Sequence, residues 1–139
     1  MFPDSGISDE ELRTYIIEHS AELQIAHYSH PWYRNMDVLA AGEILLGSHG
    51  EISPEFSETQ AEIRVQILEY ASRRLYQISD NGYKVGSDGY FWGFNRNLMD
   101  DAHLFLYAYM LTYDSRYLDA AENHLAYLMG RNPWGRSFI

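Results

Sequence analysis

The chain has 139 residues, 46% of them hydrophobic and 15% aromatic, and its twenty acidic and ten basic residues give a formal net charge of −10. This size suits one domain with a packed core, and the short apolar runs argue against a membrane span. The negative charge repels nucleic-acid phosphates and anionic bilayers, so neither is expected as a partner. Without cysteine there is no disulfide and no thiolate nucleophile.

Five helices are predicted from the spacing of apolar residues and from helix-capping residues. Two capping boxes, Ser8 with Glu11 and Ser57 with Gln60, mark the starts of the first and third helices. Gly130 marks the end of the last helix. The predicted helices cover approximately residues 9–29, 35–46, 57–80, 97–112 and 115–129.

Apolar spacing also predicts which helix faces are buried. The second helix has few polar positions, so we expect burial on most of its sides. The predicted inner face of the third helix consists of Ala61, Val65, Leu68, Ala71, Leu75 and Ile78. That of the fifth consists of Leu118, Ala121, Leu125 and Leu128. No segment predicts a strand beyond a short pairing within residues 82–93, so the fold class is all-α, a chain of helical hairpins.

Acidic residues are plentiful, but most lie where helix caps and solvated helix faces ordinarily place them. Asp100 and Asp101 are the most suggestive pair for acid–base chemistry, because they follow a loop rich in aromatic residues and glycine. A helix dipole alone also favours acids in a first turn. We prefer a structural role for Asp100 and Asp101 at the helix start, and a catalytic role stays open.

Two local groups of residues offer metal ligands: His27 with His30, and Asp100 and Asp101 with His103. Neither has the H-E-x-x-H spacing of a zinc site. The sequence also lacks a nucleophile elbow, a dinucleotide-binding glycine motif and a P-loop. We therefore predict no metal and no cofactor.

The loop over residues 83–96 carries the most informative local composition. Sugar rings require flat aromatic surfaces for their C–H faces and hydrogen-bonding groups such as Asn and Arg for their hydroxyls. Tyr90, Phe91 and Trp92 meet the first requirement. The same rings could instead fill the junction between two helices, as aromatic residues often do. The residues alone do not separate these two interpretations.

The second half of the chain carries three motifs in order. Residues 90–95 read YFWGFN, residues 112–114 read TYD, and residues 130–138 read GRNPWGRSF. In this order they resemble the pattern of glycoside hydrolase family 9, which is Y-x-W-G-S-N, T-G-D and G-R-N-P-x-G-x-S-F. The resemblance covers about residues 83–139, with Phe94 in place of the usual Ser and Tyr113 in place of the usual Gly.

The resemblance implies an (α/α)6 toroid of twelve helices, of which the five predicted helices would be an incomplete part. Residues 1–139 would then be a single partial domain of a longer protein. The implied activity of that parent is inverting hydrolysis of a β-1,4-linked glucan such as cellulose, or of glucosamine oligomers. In the family the catalytic base lies in an upstream Asp-Ala-Gly-Asp motif and the acid Glu lies downstream of a His-x-Arg motif. Neither motif occurs here, so no catalytic residue is predicted within the chain.

Substrate-binding residues also follow from the resemblance. Trp92 occupies the family's Trp-Gly position and is expected to stack on a sugar, with Tyr90, Asn95 and Arg96 as further contacts. Residues 131 and 132 are expected to fix the loop that contains them. The predicted partner is a β-linked oligo- or polysaccharide, and open helix faces also predict self-association. A noncatalytic all-α binding or interaction module remains the alternative function, and the compartment is left undetermined.

Overall fold

In the part of the chain that the structure describes, five α-helices pack around a shared apolar core. The computed structural model describes residues 6, 8–20, 36–47, 53–79, 82–86 and 94–139. Its helices are α1 (Asp9–His19), α2 (Met36–Leu46), α3 (Pro54–Ile78), α4 (Phe94–Thr112) and α5 (Ser115–Leu128). Across these ranges there is no β-strand, and no helix is long and apolar enough to cross a membrane. The all-α prediction is confirmed for this part of the chain.

The longest helix, α3, packs against each of the other four helices. The most extensive pairing joins α4 and α5, which form an antiparallel hairpin across the two residues 113 and 114. The larger core cluster draws on α2, α3, α4 and α5, with isoleucines of α1 at its edge. A smaller cluster holds Val85, Leu98, Tyr127 and Leu128. This second cluster lies where the 82–86 segment meets α4 and α5.

The predicted capping box at the start of α1 is present. The Ser8 N–H donates to Glu11 Oε2 at 2.8 Å, and the Glu11 N–H donates to Ser8 Oγ at 3.2 Å. The Ser8 backbone hydrogen bond lowers the pKa of the Glu11 carboxyl. The helix is described as far as His19, and the rest of the predicted span to residue 29 lies outside the described residues.

The second predicted capping box is wrong, because α3 begins at Pro54 and its N-cap lies four residues before Ser57. Ser53 is the N-cap, its Oγ accepts from the Phe56 N–H at 3.2 Å, and Pro54 occupies the first turn, where a missing N–H costs nothing. Gln60 is thereby placed within the helix, and its Nε2 donates instead to the Ile44 carbonyl at 2.8 Å. This bond ties α3 to the end of α2. The start of α4 is likewise at Phe94 rather than near residue 97.

The buried faces of α3 and α5 differ from the predicted ones. Val65 is 55% exposed and Leu125 is 43% exposed. The buried residues of α3 are Phe56, Thr59, Ile63, Ile67, Tyr70, Ala71, Arg74 and Ile78. Those of α5 are Tyr117, Ala120, Ala121, His124, Tyr127 and Leu128. The predicted α3 face left out the buried Ile63 and Ile67, and neither predicted face included Arg74 or His124, which are also buried. Helix α2 also falls short of burial on most sides, since Ala40 and Leu46 are exposed.

The turn between α4 and α5 depends on one residue in left-handed geometry. Tyr113 has φ 57°, and its N–H donates to the Tyr109 carbonyl at 2.7 Å, which ends α4. The next residue, Asp114, caps α5 by accepting from the Arg116 N–H at 3.0 Å. Positive φ strains a residue with a Cβ and favours Gly. Gly is the residue that the family pattern has at this position.

We therefore expect Tyr113→Gly to stabilise the chain by about 0.5–1 kcal/mol, because relief of backbone strain outweighs loss of an 81% exposed side chain. Urea unfolding followed by circular dichroism measures the change. Tyr113→Ala is the matched control, since it removes the ring, including its edge contact with Tyr109, and keeps the strain. A Gly variant no more stable than the Ala variant would contradict the assignment.

Candidate functional site

The start of α4 carries the described members of the predicted substrate-binding set. Asn95 and Arg96 lie in the first turn of the helix, and both are exposed. Arg96 Nε lies 3.8 Å from Asp100 Oδ2, one turn further on, in an arrangement that leaves the arginine side chain 56% exposed. Tyr90 and Trp92 lie outside the described residues. The two polar members of the set are thus brought together at one accessible helix end.

A buried tyrosine of α5 holds this helix end in place. Tyr127 is 1% exposed, and three aromatic rings surround it. The ring centroids of Tyr83, Phe94 and Phe138 lie 5.6, 6.0 and 6.3 Å from that of Tyr127. Edge-to-face rings at such distances add stability beyond the area they bury. The 82–86 segment, the start of α4 and the C-terminal segment therefore share one aromatic frame, in which Phe94 has a packing role.

Beneath this frame lies an ion pair between α3 and α4. The Arg74 guanidinium donates to both oxygens of Asp101, from Nε to Oδ1 at 3.3 Å and from Nη2 to Oδ2. Arg74 Nη1 also donates to Gln77 Oε1 at 2.8 Å. Both side chains of the pair are 6% exposed. Two-pronged pairing fixes the relative position of the helices as well as the charge.

An imidazole of α5 completes the buried group. His124 is fully buried, its Nδ1 lies 2.7 Å from the Ala120 carbonyl, and its Nε2 accepts from the Gly86 N–H at 3.0 Å. This pattern requires the neutral tautomer with the proton on Nδ1. Burial lowers the pKa of His124, and the nearby Asp101 carboxylate, 4.0 Å from Nε2, opposes that shift only partly. His124 thus anchors the 82–86 segment to α5 without carrying charge.

Gly86 is required there for space. A Cβ at this position would lie 2.8 Å from Arg74 Nη2, 2.8 Å from Asp101 Oδ2 and 3.2 Å from Ile78 Cγ2. None of these groups can move without breaking the ion pair or opening the core. The backbone of the 82–86 segment therefore lies directly against the Arg74–Asp101 pair.

The structure settles the interpretation of Asp101. Both of its oxygens accept from Arg74 in a buried setting, so Asp101 has a structural role. His103, which sequence analysis grouped with it, is exposed on α4. In the ranges that the structure describes, no three His, Asp or Glu side chains are grouped to hold a metal ion. His27 and His30 lie outside those ranges.

The spacing of apolar residues does not predict the burial of Arg74 and His124, although the sequence contains a signal for it. Arg74 continues the helical spacing of Ile63, Ile67 and Tyr70 toward Ile78. Arg74 on the apolar face of α3, Asp101 on that of α4 and His124 on that of α5 together indicate a buried polar group. Periodicity that counts only apolar residues cannot detect this pattern.

The segment 130–138 forms a tightly hydrogen-bonded turn. Asn132 is 7% exposed, and its Nδ2 donates to the carbonyls of Tyr127 and Arg136 at 2.8 and 2.7 Å. Its Oδ1 accepts from the Trp134 N–H at 3.0 Å. Arg131 reaches back to α5, where its Nη2 donates to Asn123 Oδ1. Both residues fix the loop, as sequence analysis expected.

We expect Asp101→Asn to destabilise the chain by about 3 kcal/mol or more, because it leaves the Arg74 charge buried without an ionised partner. Arg74→Met should destabilise the chain by a similar amount, because it leaves the Asp101 carboxylate buried without a cationic partner. The Arg74→Met/Asp101→Leu double variant should lose much less than the sum of the two effects. Urea unfolding of the single and double variants measures the coupling, and additive losses would contradict a buried pair.

His124 should also make stability depend on pH. Because its folded pKa is lowered, the unfolded chain binds the proton more readily, so stability falls as pH drops below about 6.5, the ordinary histidine value. Thermal melts between pH 7.5 and about pH 5 would show this loss in the native chain. His124→Gln should flatten the curve, whereas the exposed-site control His103→Gln should not. An unchanged curve in His124→Gln would contradict the assignment.

Comparison with known proteins identifies the family of this chain. Residues 8–139 match the family model of glycosyl hydrolase family 9. A cellulose 1,4-beta-cellobiosidase of Acetivibrio thermocellus is 32% identical over 83 residues, which are 55% of this chain and 9% of that protein. Crystal structures of the family 9 endoglucanase J30 and of its zinc-binding triple mutant each superpose with a TM-score of 0.74 at 26% identity.

Those superpositions cover 94% of this chain and 23% of the endoglucanase chain. The chain therefore spans less than a quarter of the length of the relatives it matches. The structural match also confirms the predicted architecture, in which helical hairpins correspond to part of an (α/α)6 toroid. Together with the family match over nearly the whole sequence, it establishes that the chain belongs to glycosyl hydrolase family 9.

Proposed function

We propose that residues 1–139 are a single partial domain of a β-glycan hydrolase, and that they contribute substrate contacts rather than the catalytic carboxylates. The family assignment supports the enzyme class, and the share of each relative that is matched supports the partial domain. The substrate is a β-1,4-linked glucan such as cellulose, or a glucosamine oligomer. Relatives described as a cellobiosidase and an endoglucanase favour the glucan.

The chemistry of inversion supports the absence of catalytic groups from this segment. An inverting enzyme holds a protonated acid and an ionised base on opposite sides of the scissile bond, with room for a water molecule. Asp101 cannot serve as that base, because Arg74 occupies both of its oxygens in a buried setting. The family motifs that hold the acid and the base are not in this sequence. The inverting mechanism itself is part of the proposal.

The observation that carries the substrate contacts is the accessible first turn of α4. Asn95 and Arg96 are exposed there, three and four positions after Trp92, and Phe94 anchors the turn to buried Tyr127. In the proposed site, Trp92 and Tyr90 stack on sugar rings, while the amide and the guanidinium bind hydroxyls at the ring edge. A rigid frame beneath the turn keeps these polar groups at fixed spacing.

Self-association is a further part of the proposal, supported by large apolar side chains that remain exposed on several helices. They include Leu12, Leu46, Val65, Leu106, Met110 and Leu125. Exposed apolar groups of this kind favour contact with a second apolar surface.

Hydrolysis assays test the proposed function. The purified chain, incubated with soluble cellulose derivatives and glucosamine oligomers, should release no reducing ends. The longer protein, obtained by extending the reading frame in both directions, should hydrolyse the glucan and release products in the inverted anomeric form, which proton NMR detects. Turnover by the 139-residue chain would contradict the placement of the catalytic groups, and an inactive longer protein that binds no glycan would favour a noncatalytic module.

In the longer protein, Trp92→Ala should weaken glucan affinity about fivefold, which corresponds to about 1 kcal/mol of stacking. Tyr76→Ala is the matched control, because Tyr76 is an 81% exposed aromatic residue on a different helix, α3. Unchanged affinity together with a lowered melting point would make Trp92 a packing residue.

A further inference from the structure

We propose that Trp134 forms a second sugar-stacking surface, for a pyranose ring of the same β-linked glycan. The proposal rests on the proposed function and assigns a role to a residue that the family pattern does not specify, since that pattern leaves position 134 open. Trp134 is 69% exposed and belongs to neither core cluster. The indole ring of Trp134 therefore lies outside the apolar core.

The turn holds Trp134 in place through its backbone. The Trp134 N–H donates to Asn132 Oδ1 at 3.0 Å, and Asn132 is itself buried, with its Nδ2 donating to the carbonyls of Tyr127 and Arg136. The next residue, Gly135, has φ 60°, and its N–H donates to the Asn132 carbonyl at 3.0 Å. The main chain on both sides of the indole is thus fixed without help from the side chain. A binding residue on a prearranged turn loses little freedom when a ligand arrives.

The indole ring makes one aromatic contact among the described residues. Phe138 packs edge-to-face against it, with centroids 5.8 Å apart and planes inclined at 67°. Such an arrangement fixes the orientation of the indole while leaving much of its surface exposed to a ligand. The exposed Arg136, two residues further on, supplies hydrogen-bond donors for hydroxyls near the ring edge. These are the two kinds of group that a sugar ring requires.

Phe138 also connects this surface to the first one. Its ring lies 6.3 Å from Tyr127, whose ring lies 6.0 Å from Phe94 at the start of α4. Trp134 therefore packs on Phe138, which packs on Tyr127, and Phe94 at the start of α4 packs on the same buried tyrosine. A glycan bound at the start of α4 would find the second surface on the same frame, so one oligosaccharide chain is the occupant that we favour over a protein partner.

Titration calorimetry with a β-1,4-linked glucose hexamer and the purified 139-residue chain tests the proposal. Trp134→Ala should weaken the affinity five- to tenfold with an unchanged melting temperature, because the ring is outside the core. Trp134→Phe should recover most of the affinity, because it keeps an aromatic face for the sugar. A merely structural role would instead lower the melting temperature of Trp134→Ala. The control Tyr76→Ala should bind like the native chain.

Several outcomes would overturn the proposal. Trp134→Ala could bind the hexamer with native affinity, or the native chain could bind no hexamer at all. In the longer protein without glycan, Trp134 could be protected from acrylamide quenching. The last outcome would mean that protein covers the ring. If Trp134→Ala binds with native affinity and the longer protein hydrolyses glucan, the Trp134 surface is rejected and the proposed hydrolase function is retained. Weakened binding beside an inactive longer protein would reject the proposed hydrolase and retain the sugar surface.

Discussion

The buried pair between Arg74 and Asp101 is the interaction on which the described structure depends most. It joins the longest helix, α3, to α4, and Gly86 packs so closely against it that a methyl group would not fit. Transfer of two charges from water to a protein interior costs several kcal/mol for each, and only close, two-pronged hydrogen bonding offsets that cost. The pair therefore tolerates very few alternative arrangements of the surrounding backbone.

Contacts between side chains connect this buried pair to residues at the surface. His124 holds the 82–86 segment against α5 through the Gly86 N–H, and Tyr83 of that segment packs on Tyr127. Tyr127 in turn supports both the start of α4 and the turn that presents Trp134. The buried polar contacts thus help to fix the positions of the exposed groups at the start of α4 and on the Trp134 turn. For a chain that we propose to bind an extended glycan, fixed spacing between aromatic and polar contacts is the useful property.

Local signals in the sequence predicted most of the secondary structure. The Ser8–Glu11 box, the end of α5 before Gly130 and the break between α4 and α5 depend on neighbouring residues, and the structure confirms them. The start of α3 was wrong because Ser53-Pro54 and Ser57 both resemble helix starts, and the choice depends on Gln60 bonding to α2. Which residues are buried was harder to predict. Arg74 is buried because Asp101 of α4 pairs with it, and His124 is buried because its Nε2 accepts from the Gly86 N–H. Spacing along one helix contains no such information.

The candidate site was predictable to the extent that its motifs are contiguous. The family pattern located residues 90–96 and 130–138, and the loop-fixing role of Asn132 follows from its place in that pattern. Their connection through Tyr127 was not predictable, because it joins residues that are far apart in sequence and share no periodicity. The exposure of Trp134 likewise depends on the turn geometry that Asn132 and Gly135 impose.

We propose that the start of α4 and the turn that carries Trp134, which are linked through the rings of Phe94, Tyr127 and Phe138, bind a β-linked glycan. Amide and indole shifts in a 15N-labelled chain titrated with a β-1,4-linked glucose hexamer test it most directly. We expect shifts at Asn95, Arg96 and the Trp134 indole, with none around Tyr76 on α3. Shifts confined to α3, or no shifts at any glycan concentration, would contradict it.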